Sequence, residues 1–168
     1  MRDNLTEHGE RLGRLLKTRG WSLVTAESCT GGGIAEVITR VPGSSAWFER
    51  GFVSYSNPSK VEMLGVSETT LARDGAVSEA VVREMAAGAL AHSQADISVA
   101  VTGIAGPDGG TTDKPVGTVW LGWAGVGQEP RAECRYFAGD RQAVREQTIA
   151  AALVGLESLL IESEEAGG

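Results

Sequence analysis

The chain has 168 residues, a formal net charge of −7 and a sequence pI near 4.9. Hydrophobic residues make up 42% of it and charged residues 22%, which is typical of a folded globular domain and excludes a disordered chain. No cluster of Lys and Arg appears, so we expect no nucleic-acid partner. No stretch is apolar enough for a signal peptide or a membrane span, so we expect no membrane contact.

Hydrophobic periodicity and turn residues predict interleaved helices and strands along the chain. In chain order these are a helix over 3–19, a strand over 21–27, a helix over 33–41, a strand over 47–56, a short helix over 57–66, a short helix or loop over 67–75, a helix from the cap at 78 to about 92, and strands over 95–103, 116–125 and 131–139. A final helix follows Asp140 as its N-cap, and its tail is expected to fray from about residue 162.

This order of elements predicts one α/β domain over residues 1–168, with helices on both faces of a mixed, mostly parallel sheet. The strands near 117–124 and 131–137 are joined by a short hairpin-like turn, so this pair is expected to be antiparallel.

The stretch TAESCTGGG at 25–33 holds three candidate nucleophiles, Ser28, Cys29 and Thr30, at a predicted strand–turn–helix junction. There the backbone N–H groups from Cys29 to Gly32 could hold an oxyanion. Ser28 is either the nucleophile or a helix cap. Neighbouring residues of an extended segment face opposite ways, so with Ser28 toward a cleft, Cys29 would pack in the core as a small buried thiol.

The usual partners of a catalytic serine or a metal are scarce. The histidines, His8 and His92, fall on predicted surface helices, which disfavours a Ser-His-Asp triad. The two cysteines form no disulfide framework or zinc spacing, which favours a reduced, cytoplasmic protein without a metal. Lysine is the remaining base, and Lys60 and Lys114 lie at predicted strand ends.

Two further segments carry candidate binding groups. Thr102 and Gly103 offer a hydroxyl and an amide where a strand opens into a glycine-rich loop, although the loop could be an ordinary connection. Arg141 and Arg145 lie four residues apart on one face of the last helix, near its N-terminus, where an anion is favoured. A solvated or salt-bridged pair is the alternative for these arginines.

Four stretches in order resemble the CinA C-terminal domain family: AESCTGG at 26–32, SYSNPSK at 54–60, VTGIAGPDGGTTDKPVGTVW at 101–120 and FAGDRQAVR at 137–145. The resemblance runs from about residue 5 to 160. It implies a single three-layer α/β/α domain, here without the N-terminal domain that many family members carry, and a homodimer. Stand-alone members are nicotinamide-nucleotide amidases, so the resemblance implies nicotinamide mononucleotide as substrate and no cofactor.

The resemblance also implies roles for particular residues. Ser28 would be the nucleophile of a metal-free Ser/Lys hydrolase, Lys60 its base, and Tyr55 the group that orients or shuttles the proton. The substrate would be bound by the residues of the turn, the glycine loop and the last helix, namely Thr30, Gly31, Gly32, Thr102, Gly103, and Arg141 or Arg145 on the phosphate.

Three points stay open from the sequence. Glu27 could bind a ribose hydroxyl, pair with a cation or form a structural ion pair. A module of this fold that binds a nucleotide without hydrolysing it is the alternative to an enzyme, although Ser28, Tyr55 and Lys60 occur together. An amidase acting on a non-nucleotide amide is a third reading, which the two arginines disfavour.

Overall fold

A computed structural model describes the backbone of residues 3–167 and the side chains of residues 3–164. Six α-helices and five strands lie in this part of the chain, with one short 3-10 turn at Ser44–Ala46. The helices are α1 (Asn4–Arg19), α2 (Gly33–Thr39), α3 (Asn57–Leu64), α4 (Glu68–Asp74), α5 (Glu79–Ala91) and α6 (Arg141–Gly167). The strands are β1 (Leu23–Glu27), β2 (Phe48–Val53), β3 (Ile97–Gly103), β4 (Thr118–Gly125) and β5 (Arg131–Tyr136).

The five strands form one mixed sheet in the order β2-β1-β3-β4-β5. Strand β1 pairs in parallel with both β2 and β3, while β4 is antiparallel to β3 and to β5. Four of the five strands therefore run the same way, and the predicted antiparallel hairpin is confirmed. The predicted α/β class with a mixed, mostly parallel sheet is also confirmed.

Each face of the sheet buries its own apolar layer, because successive side chains of a strand point to opposite faces. On β3, Val99 and Val101 pack with residues of α1, α2 and α6, whereas Ala100 packs with α5. Strand β3 is thus covered on both sides, which explains its almost continuous apolar sequence. The three layers place β1 and β3 in the centre of the domain.

Local signals end the helices where the sequence places them. Asp3 accepts a hydrogen bond from the Thr6 amide at the start of α1, and Gly20 adopts a left-handed conformation at its end. Asp140 accepts from the Ala143 amide, which confirms it as the cap of α6. The segment 67–75, predicted as a short helix or loop, contains α4.

Three expectations need correction. Strand β2 ends at Val53 rather than at 56, because Ser56 caps α3 by accepting from the Ser59 amide. The tail from 162, predicted to fray, continues α6, where the Ser163 hydroxyl accepts hydrogen bonds from Arg19 and from the side-chain amide of Gln128. His8 is not a solvated surface histidine, since only 13% of its side chain is exposed and its ring contacts Glu157.

Within residues 3–167, none of the helices combines the length and apolar character that a membrane crossing requires.

Candidate active site

The carboxyl ends of three parallel strands bring the predicted residues to one edge of the sheet. Glu27, the last residue of β1, pairs with Val53 on one side and Val101 on the other. The Ser28 amide donates to the Val101 carbonyl, which extends the ladder by one residue. The segments that follow β1, β2 and β3 therefore meet, as expected for a ligand site of an open α/β sheet.

The turn after β1 owes its shape to glycine. Gly31 and Gly32 have φ values of 57° and 100°, which side chains with a Cβ rarely adopt. Within the turn the Gly31 amide donates to the Ser28 carbonyl, and the Gly33 amide donates to the Thr30 carbonyl. The turn thus holds Ser28 at the start of a tight reversal into α2.

Glu27 links this turn to the start of α2 through hydrogen bonds. It is buried and accepts hydrogen bonds from the Thr30 hydroxyl at 2.5 Å and from the amides of Ile34 and Ala35 at 2.8 and 3.1 Å. Helix α2 has Gly32 as N-cap, which offers no side-chain acceptor, so the carboxylate of Glu27 satisfies the free amides of the first turn. This corrects the sequence alternatives for Glu27: its contacts are neither an ion pair nor a ligand site.

Lys60 is the second residue at the strand edge. Its side chain is buried, with Nζ 3.1 Å from Ser28 Oγ, 3.1 Å from the Ser54 carbonyl and 3.2 Å from the Tyr55 carbonyl. No carboxylate hydrogen-bonds to this amine or forms an ion pair with it among the described residues. Burial lowers the pKa of Lys60 from its ordinary value of 10.5.

The two carbonyls define which way the amine faces. A carbonyl oxygen only accepts, so the N–H bonds of Lys60 go to Ser54 and Tyr55. A neutral amine has two N–H bonds and one lone pair, and with both N–H bonds used, the lone pair faces Ser28 Oγ. The Ser28 hydroxyl has a second acceptor in the Tyr55 carbonyl, but at 3.5 Å this contact is longer. The arrangement suits transfer of the Ser28 proton to Lys60.

The neighbouring thiol is packed away from this chemistry. Cys29 is 6% exposed and lies in the apolar layer formed with α1, α2 and α6. Burial raises the pKa of its thiol to about 12, so the thiolate is not formed near neutrality. The prediction that Cys29 packs in the core is confirmed.

Ser28 and Lys60 open into a cavity of about 300 Å³. Among the residues predicted from the sequence, Tyr55, Thr102, Gly103 and Arg141 also line it. The Thr102 hydroxyl donates to the Ala76 carbonyl at 3.0 Å, which ties the end of β3 to the segment before α5. A larger cavity of about 650 Å³ lies between β5 and α6, but none of the predicted residues lines it.

Tyr55 and Arg141 form one side of the smaller cavity. Arg141 donates to the Gly106 carbonyl at 2.7 Å and to the Tyr55 hydroxyl at 3.1 Å. The Tyr55 phenol therefore has Arg141 as its partner, and it is the Tyr55 backbone carbonyl that contacts Lys60 and Ser28. Among the described residues, no chain of hydrogen bonds links the Tyr55 phenol to Lys60 or Ser28. A role of Tyr55 in orienting or shuttling the proton stays a prediction.

Four predicted binding residues lie outside the cavity. Arg145 donates to the carbonyls of Cys29 and Thr30 at 3.2 and 3.0 Å, so its guanidinium holds the turn from the side of α6. Thr30 is fully buried against Glu27, and Gly31 and Gly32 shape the backbone. The Arg145 guanidinium and the Thr30 hydroxyl thus build the turn. Direct substrate contact by these four residues stays a prediction.

Two cavity-lining side chains, Asn57 and Asp108, went unassigned in the sequence. Asn57 lies in the SYSNPSK motif and Asp108 in the glycine loop, both of which carry the resemblance. Their place in these motifs is the sequence signal that could have marked them as site residues. Within the described part of the chain, no group of three or more His, Cys, Asp or Glu side chains is arranged to hold a metal ion.

The structure thus defines an α/β domain with a mixed sheet, in which a buried lysine amine contacts a serine hydroxyl at the ends of the strands. The sequence profile of the CinA C-terminal domain matches residues 5–160. The chain belongs to the CinA C-terminal domain family.

Several relatives match this chain over nearly their full length. A protein of Escherichia coli K12 named nicotinamide-nucleotide amidohydrolase PncC is 58% identical over 151 residues, covering 89% of this chain and 90% of the relative. A protein of Pseudomonas putida with the same name is 57% identical over 157 residues, covering 94% and 98%. A CinA-like protein of Akkermansia muciniphila is 58% identical over 132 residues but is matched over only 32% of its length.

Solved structures agree with the fold. A CinA superfamily protein from Klebsiella pneumoniae superposes with a TM-score of 0.91 at 41% identity, covering 95% of this chain and 99% of that one. The competence/damage inducible protein CihA from Agrobacterium tumefaciens gives a TM-score of 0.91 at 42% identity, covering 95% and 97%.

Proposed function

We propose that this chain hydrolyses the carboxamide of nicotinamide mononucleotide to nicotinic acid mononucleotide and ammonia, as a step in pyridine-nucleotide recycling. Relatives at 57–58% identity carry the name of this activity. The observation that carries the proposal is the contact of 3.1 Å between the buried Lys60 amine and Ser28 Oγ. An amide is a poor electrophile, so its hydrolysis needs an activated nucleophile of this kind.

The reaction follows from this contact. Lys60 takes the proton of the Ser28 hydroxyl while Oγ attacks the carboxamide carbon, and the carbonyl π electrons move to the oxygen. The lysine ammonium then gives the proton to the departing nitrogen, the C–N bond breaks, and ammonia leaves an acyl-Ser28 ester. A water molecule, deprotonated by Lys60, attacks the ester carbon, and the proton returns to Ser28 Oγ as the acid leaves.

The oxyanion of each tetrahedral intermediate needs hydrogen-bond donors. Within the turn the amides of Gly31 and Gly33 are used internally, whereas those of Cys29, Thr30 and Gly32 donate to no other described residue. Cys29 also lines the cavity. We assign the Cys29 amide to the oxyanion and treat the Thr30 amide as a second candidate donor.

The phosphate is assigned to Arg141. Of the two arginines at the start of α6, only Arg141 lines the cavity of Ser28 and Lys60. Arg145 does not line that cavity, and its guanidinium donates to the carbonyls of Cys29 and Thr30. Both arginines have two partners, so their position and not the number of free donors decides the assignment. An arginine fork suits a phosphate because it can donate two parallel hydrogen bonds.

The test measures ammonia release from nicotinamide mononucleotide, with EDTA present, for the wild type and Ser28→Ala. Ser93→Ala, which lies after α5 and does not line the cavity, is the matched control. We expect release by the wild type and the control and none by Ser28→Ala. Release by Ser28→Ala would refute the assigned nucleophile, and loss of activity in EDTA would refute a metal-free reaction.

If calorimetry shows that the wild type binds the nucleotide but no ammonia is released, the result would favour a nucleotide-binding module over an enzyme. The same proposal places the reaction in the cytoplasm, in keeping with two free thiols, and in a homodimer. A monomeric mass by light scattering would refute the dimer.

A further inference from the structure

The Tyr55 side chain is exposed although it lines the catalytic cavity. Its exposed fraction is 60%, while the large apolar side chains of the core are below 10%. It shares the cavity with Ser28 and Lys60. An aromatic ring left open at a cavity offers a face that a flat ligand ring can cover.

The ring is held in place before any ligand arrives. The Tyr55 hydroxyl accepts a hydrogen bond from Arg141 at 3.1 Å, and the Tyr55 carbonyl accepts one from Lys60 at 3.2 Å. Both ends of the residue are therefore fixed, so binding against the ring costs little additional ordering.

The charges around the cavity favour a positive ligand ring. The Asp108 carboxylate lines it and makes no hydrogen bond or ion pair with any described residue. Burial lowers the pKa of Lys60, and the neutral amine does not repel a cation. Among the lining residues Arg141 alone is a permanent cation, and under the proposed function the substrate phosphate offsets its charge.

We propose that this cavity selects the positive charge of a pyridinium ring, with the Tyr55 ring face and the Asp108 carboxylate as the selecting groups. The proposal rests on the proposed function, since a nicotinamide ring bonded to ribose through its nitrogen is a quaternary cation. A cation over an aromatic face is attracted by the ring quadrupole. The same charge next to Lys60 further disfavours protonation of the amine, so the substrate helps to keep its own base neutral.

The test compares nicotinamide mononucleotide with its reduced dihydro form, which has a neutral ring and the same carboxamide, ribose and phosphate. Affinities are measured by calorimetry in a Ser28→Ala background. Binding is measured rather than turnover, because the reduced ring donates electrons to the carboxamide and makes it intrinsically less reactive. We expect the reduced form to bind about tenfold more weakly.

Variants assign the preference to its residues. Adding Tyr55→Leu should bring the affinity ratio of the two forms down severalfold toward one, whereas Tyr55→Phe should keep most of it, because the ring face remains. Asp108→Asn should lower the ratio as well. Loss of the Arg141 contact in Tyr55→Leu affects both forms, which share the phosphate, so it cancels in the ratio. The matched controls are Tyr136→Leu and Asp113→Asn, which are exposed and outside the cavity.

The outcomes separate the two proposals. A ratio near one in Ser28→Ala, with ammonia release by the wild type, overturns charge selection and leaves the activity. A tenfold ratio without ammonia release keeps charge selection and overturns hydrolysis. A ratio that stays at ten in both Tyr55→Leu and Asp108→Asn, with unchanged thermal unfolding, overturns the assignment to these residues.

Discussion

Arg141 and Arg145 lie one helical turn apart on α6, yet their contacts predict that replacing them changes different kinetic parameters. Arg145 donates to the carbonyls of Cys29 and Thr30, in the turn that follows Ser28. In a trans peptide the C=O and the following N–H point in opposite directions. Because the Cys29 carbonyl points toward Arg145, the Thr30 N–H points away from Arg145. Arg145 therefore fixes the orientation of the Cys29–Thr30 peptide plane, whose N–H is the second candidate donor to the oxyanion.

We therefore expect Arg145→Ala to lower kcat and to leave the KM for nicotinamide mononucleotide nearly unchanged. Hydrogen bonds from a charged group contribute about 1.5–3 kcal/mol each. A loss of about 2 kcal/mol that appears only in the transition state corresponds to a roughly thirtyfold lower kcat. Arg141→Ala should instead raise KM by a similar factor, because a phosphate contact is made in the ground state as well.

The assay is steady-state ammonia release for both alanine variants, with thermal unfolding to show that each is folded. Arg145→Lys should recover part of kcat, since an ammonium can donate to one carbonyl at a time. A raised KM with normal kcat in Arg145→Ala would refute the positioning role and return Arg145 to the phosphate. Equal losses of kcat in both variants would refute the division of roles between the two arginines.

Three further outcomes are expected. Lys60→Met should lower kcat/KM by about 10²–10⁴ while calorimetry still shows nucleotide binding, with exposed Lys17→Met as control; near-normal turnover would contradict the base role. In the wild type kcat/KM should rise with pH and level off above the lowered pKa of Lys60, because only the neutral amine accepts a proton. Between that pKa and 10.5 the unfolded chain binds the proton that the folded chain lacks, so the free energy of unfolding should rise with pH relative to Lys60→Met. Cys29→Ala should keep turnover within a few-fold, since a thiol with a pKa of about 12 is not a nucleophile at neutral pH; a folded but inactive variant would reverse that assignment.

The order of helices and strands could be predicted because it depends on local patterns. Apolar periodicity, capping residues and the short link between β4 and β5 are all visible within a few residues of sequence. The position of Ser28 and Lys60 at strand ends followed from the same patterns, and parallel pairing of β1 with β2 then brings these ends together. Errors occurred where a distant contact decides the outcome, as at Ser163, whose partners Arg19 and Gln128 keep the last helix ordered where fraying was expected.

The roles of Arg145 and Tyr55 could not be read from spacing. Arg145 reaches the turn across 116 residues of sequence, and the arginine four positions before it, on the same helix face, reaches the cavity instead. The order of the motifs predicts that both arginines lie near the substrate. It does not tell which arginine donates to backbone carbonyls and which one faces the cavity. Tyr55 was expected to orient or shuttle the proton, and in the structure it is the Tyr55 carbonyl that contacts the Lys60 amine.

The same limit applies to the protonation of Lys60, on which the mechanism depends. Sequence places an amine near a hydroxyl, and a protonated lysine there would only stabilise an oxygen. What favours the neutral base is burial in a site where no carboxylate among the described residues hydrogen-bonds to the amine or forms an ion pair with it. The three oxygen partners, two carbonyls and one hydroxyl, fix the position of the amine. The carbonyls of Ser54 and Tyr55 arise from the backbone at the end of β2, so no side-chain motif encodes them. Replacing those two side chains conservatively should therefore leave the orientation of the amine intact, whereas a shift in the end of β2 would turn its lone pair away from Ser28.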